Sequence, residues 1–532
     1  MLLFSRAKAV CGWTGVLCLA GSLLIKPNPI VARAAAVPQA DASRAKDEDA
    51  CIQCHKDEVN GFARSKMARS MRLPAHEPEG SVHAPQATLR MSSNHEGTTQ
   101  TLESGGHTEN YRVNYVIGSG THASGYIVSL ANHLFQSPVA YYPRRTAYGL
   151  APGYETEPDP DFTRPVKPGC IFCHAGSFAP VAGTINEYAA QPFSHLAIDC
   201  SRCHGPVGAH LEHPTPSNIV NPVSLDAAAR DSVCEQCHLK GVARVLNPGK
   251  KFTDFVVGQP LETTFTIYRY SVPTGEQPPF KVISHSEQLA LSRCKRVSGN
   301  EMWCGTCHNP HDEPVNIVPY YRAKCLTCHA QTHFAASHPS RNSNCIGCHM
   351  PKREAEDGGH TAFTDHRIQR TPDHKPAGEP TGIEPWRDPP AELAKRNLGM
   401  ASIEAGAEAR AWPQVVSGYR ILAEVQHQFP DDCEMYTSIG NALSMGRQFS
   451  EALIAFQIAE RCDPKSTSIE ANLGSAYAAS GQNGPAEIHL EQALELDPMN
   501  LSAAEQLIGL YEKGGETAKA ETLKEKISSL FP

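Results

Sequence analysis

The chain has 532 residues, too many for one ordinary domain, and carries 48 basic against 56 acidic side chains, a formal charge of −8. Without residues 1–34, which hold Arg6, Lys8, Lys26 and Arg33 and no acid, the balance falls by four to −12. That sign argues against a nucleic-acid partner and fits a protein partner with basic patches.

In chain order, Arg6 and Lys8 precede an apolar run from Ala9 to Ile25 and an Ala32-Arg33-Ala34 pattern. This is the pattern of a Sec-type signal peptide over 1–34 and predicts an exported, periplasmic protein. The alternative is an uncleaved anchor, because the run is near the lower limit for spanning a bilayer; only then would the chain be membrane-associated. Residues 35–50 form a polar lead-in, and a short helix is expected from Cys51 to about Met71. Four alternating segments, Thr88–Ser92, Gln100–Glu103, Tyr111–Ile117 and Gly125–Leu130, predict a small antiparallel β-sheet.

Cys-x-x-Cys-His occurs seven times. The copies are Cys51-x-x-Cys54-His55, Cys170-x-x-Cys173-His174, Cys200-x-x-Cys203-His204 and Cys234-x-x-Cys237-His238, then Cys304-x-x-Cys307-His308, Cys325-x-x-Cys328-His329 and Cys345-x-x-Cys348-His349. The pattern is the attachment signature of c-type haem: the thiols form thioethers to the porphyrin and the histidine is the proximal iron ligand. Zinc or a redox disulfide would also use Cys-x-x-Cys but would not need a histidine after every copy. Fourteen of the nineteen cysteines are thus assigned, two lie in the signal segment, and Cys294, Cys433 and Cys462 remain.

From Pro138 to about Arg370 the sequence is rich in Pro, Gly and His and lacks hydrophobic periodicity. Seven haems would themselves supply the apolar bulk there, wrapped by short helices and loops. The expected organisation is a haem-packed cytochrome domain over 35–376, a Pro-rich linker over 377–392 and an all-α domain over 393–532. In the last, Pro430, Pro464, Pro498 and Pro532 recur every 34 residues, as do Gly406, Gly440 and Gly474, and Ala452, Ala486 and Ala520. This is the tetratricopeptide (TPR) period, which stacks helix pairs into a solenoid that binds partners; an ordinary helical bundle would not hold it in three residue classes. Cys433 and Cys462 stand at the two ends of one repeat, where antiparallel helices would allow a disulfide or leave two free thiols.

The sixth iron position separates a carrier from a catalyst. Histidines close to a motif are the candidates: His195 before Cys200, His210 after Cys203, His311 after Cys307, His338 before Cys345, and His285 on a helix expected over Ser284–Arg293. His360 and His366 share one or two sites, while His76, His83, His95 and His107 lie in polar, turn-rich sequence and are expected at the surface.

With SKMARSM after the first motif, IGSGTHASGYI, PVAYY, PGYE, IDCSRCHGP, CEQCHLKG, SHSEQLALSRC, CGTCHNPH and CIGCHMPKR followed by TDHRIQR, the chain resembles bacterial multihaem c-type cytochromes with C-terminal TPR repeats, related to tetrahaem electron-transfer proteins. The resemblance adds Met67 and His122 to the ligand candidates. Val207 departs from it, standing where a glycine is common and so bearing on the aim of His210. It implies an electron-transfer protein with seven covalent haems and a TPR domain that docks a redox partner. The alternative functions are a reductase or oxidase of a small nitrogen oxide at one open haem, and a scaffold in which the haems are structural.

Overall fold

The computed structural model describes residues 50–273, 275–329, 338, 344–371 and 377–531; the expected signal segment and all of the lead-in but Ala50 lie outside them. No helix among the described residues is long and apolar enough to cross a membrane.

Eight strands form the first large element: β1 (Met71–Arg72), β2 (Gly80–His83), β3 (Ala87–Asn94), β4 (Gly97–Ser104), β5 (His107–Ile117), β6 (Ser124–Leu130), β7 (His133–Tyr142) and β8 (Ala147–Leu150). β2 to β8 follow one another as an antiparallel meander, and β1 pairs with β5. The ends of the meander approach each other: the Tyr148 ring covers Gly80, and its hydroxyl donates to the Pro78 carbonyl at 2.6 Å. The sheet is therefore a near-barrel, larger than the four segments expected from the sequence.

β4 alternates strictly between buried and half-exposed positions, which is why its period was legible. β7 is buried on both faces and carries Pro138 where its register with β6 shifts, so neither alternation nor composition marked it as a strand.

The middle of the chain is made of short helices and small sheets, with most Cys-x-x-Cys-His segments on single helical turns and the fourth at the end of the helix Ala227–His238. Gly382–Pro385, inside the expected linker, pairs with Phe265–Ser271 as the outer strand of a three-stranded sheet. Just beyond it Trp386 Nε1 donates to Glu235 at 3.0 Å, and Arg387 bridges Glu235 and Glu262 and donates to Ser232 Oγ at 2.8 Å. The stretch thus clamps the helix Ala227–His238, which carries the fourth motif. Proline and glycine marked it as irregular but could not show where its side chains land.

Eight helices complete the chain: α1 (Ala394–Glu408), α2 (Trp412–Val425), α3 (Cys433–Met445), α4 (Phe449–Cys462), α5 (Thr467–Ala479), α6 (Asn483–Leu496), α7 (Leu501–Gly514) and α8 (Thr517–Leu530). From α3 onward both members of each pair restart every 34 residues. Asp432, Ser466 and Asn500, also 34 apart, cap α3, α5 and α7 through their side-chain oxygens. Gly440 and Gly474 sit where an added Cβ would lie 2.4 Å from the Phe456 ring and 2.5 Å from Leu490, so the small residue sets the helix spacing. A disulfide joins Cys433 to Cys462 across one pair, with Cα atoms 5.9 Å apart.

α1 and the edge of the solenoid formed by the turns between repeats pack on the rest of the chain. Arg396, fully buried, binds Asp432 and the Leu246 carbonyl, while Thr467 N–H donates to the Gly183 carbonyl. Asp497 accepts from His133 at 2.9 Å and from the Ile185 amide at 3.0 Å. Phe135 meets Phe531, and Val82, Leu89, Leu102, Tyr111 and Val139 of the sheet share one apolar cluster with α5 to α8.

Candidate functional site

One turn of helix places positions i, i+3 and i+4 on the same side. In the first, third, fifth and sixth motifs the histidine amide donates to the first cysteine's carbonyl (His55 to Cys51 at 2.8 Å, His204 to Cys200 at 2.9 Å, His308 to Cys304 at 2.9 Å, His329 to Cys325 at 3.0 Å), and the fourth and seventh motifs lie within helices. Each of these six motifs therefore presents two thiols and one imidazole to a common side, whereas in the second the His174 amide donates to the Ile171 carbonyl at 2.9 Å. Thiols of different motifs also touch: Cys173 with Cys237, Cys234 with Cys304, and Cys325 with Cys345. The second, fourth and fifth motifs are thus contiguous, as are the sixth and seventh.

Histidine rings face one another across similar gaps. His55 and His210 have centroids 6.3 Å apart and planes at 27°; His204 and His311, 5.8 Å and 10°; His308 and His366, 6.2 Å and 30°; His349 and His338, 6.2 Å and 18°. His238 and His285 lie 5.3 Å apart at 83°, and His285 is 5.0 Å from His366. A transition metal sits about 2 Å from an imidazole nitrogen and roughly 3 Å from the ring centre, so two rings on opposite sides of one metal stand about 6 Å apart. The four near-parallel pairs fit that spacing.

The outer contacts of these rings fit ligation as well. Nδ1 donates to a carbonyl in His204 (Val220, 2.8 Å), His349 (Gln369, 2.8 Å), His366 (Thr364, 2.9 Å), His195 (Ala197, 2.7 Å) and His210 (Thr215, 3.1 Å). A carbonyl only accepts, so Nε2 keeps the lone pair, the tautomer a metal needs. Burial pushes His174, His238 and His308 toward the neutral form, holds His285 well below the usual imidazole range, and takes His366 down to about 4. Neutral imidazole is the ligating form. From Gly299 to His329 no residue is buried, so these helices are half-covered walls rather than a side-chain core.

The remaining candidates lie elsewhere. Met67 packs with Phe62, Ala68 and Ile198, and the ring that faces His55 is that of His210. Gly205, at φ +71, ends the helix of the third motif, and Val207 then starts the turn Gly208–Glu212 that carries His210. His122 stacks on Phe363 at 4.3 Å and keeps a buried Nδ1 without a partner among the described residues, as do His174 and His285. His195 is buried beside the second motif's cluster, and His329 is exposed. The carbonyls that set the tautomers, and the Tyr321 hydroxyl 3.1 Å from His308 Nδ1, were absent from the sequence reading. A backbone acceptor carries no residue signature, whereas the Tyr320-Tyr321 pair just after the fifth motif was a visible signal.

No protein-family model matches the chain. One curated protein does: Multiheme cytochrome MtrA of Shewanella baltica (strain OS185). The two are 26% identical over 209 residues, 37% of this chain and 56% of that protein, so the chain spans little more than half of its relative's length. Among solved structures, MamA from Desulfovibrio magneticus RS-1 is 17% identical over 26% of this chain and 75% of its own, at a TM-score of 0.24. A thermophilic TPR protein of Thermus thermophilus is 20% identical over 25% of this chain and 73% of its own, at 0.22.

Proposed function

We propose that the chain is an exported multihaem c-type cytochrome that carries electrons, with seven covalently attached haems held over residues 35–376 and TPR repeats over 393–532 that engage a redox partner. The observation that carries this reading is the set of facing histidine pairs, each joining a Cys-x-x-Cys-His histidine to one outside that motif at the spacing of two ligands on one metal. Haem iron supplies the electron exchange. The chain supplies the two imidazoles and the tautomers that favour a site closed by two histidines.

In this reading His55 pairs with His210, His204 with His311, His238 with His285, His308 with His366 and His349 with His338. Met67 then packs beside the first site rather than ligating it. The touching cysteines support an order in which the second, fourth and fifth sites adjoin and the sixth and seventh adjoin. The 26% match to a multihaem cytochrome supports the class, and the acidic balance supports a partner with basic patches.

Electron paramagnetic resonance of the oxidised holoprotein tests the proposal. All seven irons are expected low-spin. His210→Ala converts one of them to high-spin, while Met67→Leu leaves the spectrum unchanged. A wild-type high-spin signal of about one haem, perturbed by nitrite or hydroxylamine, would replace the carrier reading with an enzymatic one.

A further inference from the structure

We propose that Glu460, Glu470 and His489 form a binding site for a divalent first-row transition cation, zinc above all, that ties the second TPR helix pair to the third. The three residues come from α4, α5 and α6, and their ligand atoms all lie within 4.8 Å of one another. His489 Nδ1 stands 2.8 Å from Glu470 Oε2, and the two side chains are 17% and 4% exposed. The imidazole is fixed from its face by Tyr477, at 5.3 Å and 10°, whose hydroxyl accepts from Gln457 Nε2 at 2.9 Å.

The repeat itself provides the second observation. Thirty-four residues from Glu470 stand Tyr436 and Ala504; from His489, Ala455 and Leu523; from Glu460, Leu494 on one side and the polar, half-buried Gln426 on the other. Of these Tyr436, Ala455, Leu494 and Ala504 are buried, so the positions equivalent to Glu470 and His489, and the later one equivalent to Glu460, build apolar core. Here all three change together to residues that ligate. A hydrogen-bonded His–Glu pair accounts for two of them but not for Glu460, which has no ion pair among the described residues. Two carboxylates and one imidazole nitrogen within 4.8 Å of one another form a set whose negative charge a bound cation would offset. One imidazole nitrogen and two carboxylate oxygens suit Zn²⁺ and, less tightly, Mn²⁺.

The test uses the full holoprotein, whose covalent haem iron does not interfere with a count of zinc. After chelator treatment and titration with ZnCl₂, the wild type is expected to take up one more equivalent than His489→Gln or Glu460→Gln. Zinc at a hundredfold excess over its Kd raises the unfolding temperature of the repeats by roughly 5–10 °C in the wild type only. Loss of an outer-shell partner alone weakens a metal site by roughly 10–100-fold, so loss of a direct ligand is expected to weaken this one at least as much. Equal zinc content and equal melting shifts in wild type and variants overturn the proposal. If the variants do not fold, anomalous scattering at the zinc edge from wild-type crystals decides: a peak between α4, α5 and α6 supports the site, and its absence at saturating zinc refutes it.

Discussion

Gly61 lies on the helix Lys56–Ala63, just after the first motif, where an added Cβ would come within 2.2 Å of the His311 carbonyl oxygen. The obstacle is backbone, which cannot swing aside as a long side chain would. Alanine normally favours a helix over glycine by up to about 1 kcal/mol, yet overpacking of this kind costs about 1–3 kcal/mol, so the clash wins. Gly61→Ala is therefore expected to destabilise the protein and to push His311 away from His204. The check is denaturant unfolding together with the low-spin resonance spectrum, where the signal of one haem should shift or turn high-spin. The Cys-x-x-Cys-His residues were legible in the sequence because their chemistry needs neighbours on one helical turn. The pairing of His204 with His311 was not, because it depends on how a helix and a loop far apart in the chain come to touch, and Gly61 looked like any other glycine.

At the scale of elements, the contact of β7 with the solenoid edge rests on His133 and Asp497, whose side chains are 4% and 0% exposed. Burial opposes both charges, but the hydrogen bond and mutual attraction outweigh it: His133 is held above the usual imidazole range and Asp497 below the usual carboxylate range. A raised histidine stabilises fully below its unfolded pKa of about 6.5 and loses that contribution as pH rises through the folded value; a lowered aspartate loses its own as pH falls through the folded value. The contact is accordingly firmest between about pH 4 and pH 6.5 and weakens on the alkaline side. There the neutral ring keeps a single N–H, which cannot serve both the Ala131 carbonyl and Asp497. His133→Gln is expected to cost about 1–3 kcal/mol at pH 6 and distinctly less at pH 9, measured by urea unfolding at both values; an equal cost at both would show that the charge is irrelevant. The 34-residue period announced the helices of this interface because every repeat faces the same packing problem. It did not announce that Asp497 would reach back to a strand near residue 133, since β7 is buried on both faces and gives no alternation to follow.

For the whole molecule, the same interface changes what the repeats are for. A solenoid that only received a partner could be removed without harm to the haem-bearing part. Here Val82, Leu89, Leu102, Tyr111, Val128, Phe135, Val139 and Phe162 share a cluster with helices α5 to α8. Fully burying one such side chain contributes on the order of 1.5–3 kcal/mol, against a total stability of roughly 5–15 kcal/mol for a domain. Uncovering even a few of them removes most of that margin. It also leaves Asn247 and Thr266 without Asn397, and the Leu246 carbonyl without Arg396. Deletion of residues 391–532 is therefore expected to give a chain that aggregates or is degraded, with the loss of all haem absorbance from the soluble fraction rather than of partner binding alone. Soluble, fully reducible truncated protein at wild-type yield would show that the sheet does not need its cover. The solenoid edge that carries the repeat-to-repeat turns, and α1, are thus committed to the protein itself, which leaves the faces of α2 to α8 away from those turns as the surface for anything the repeats bind.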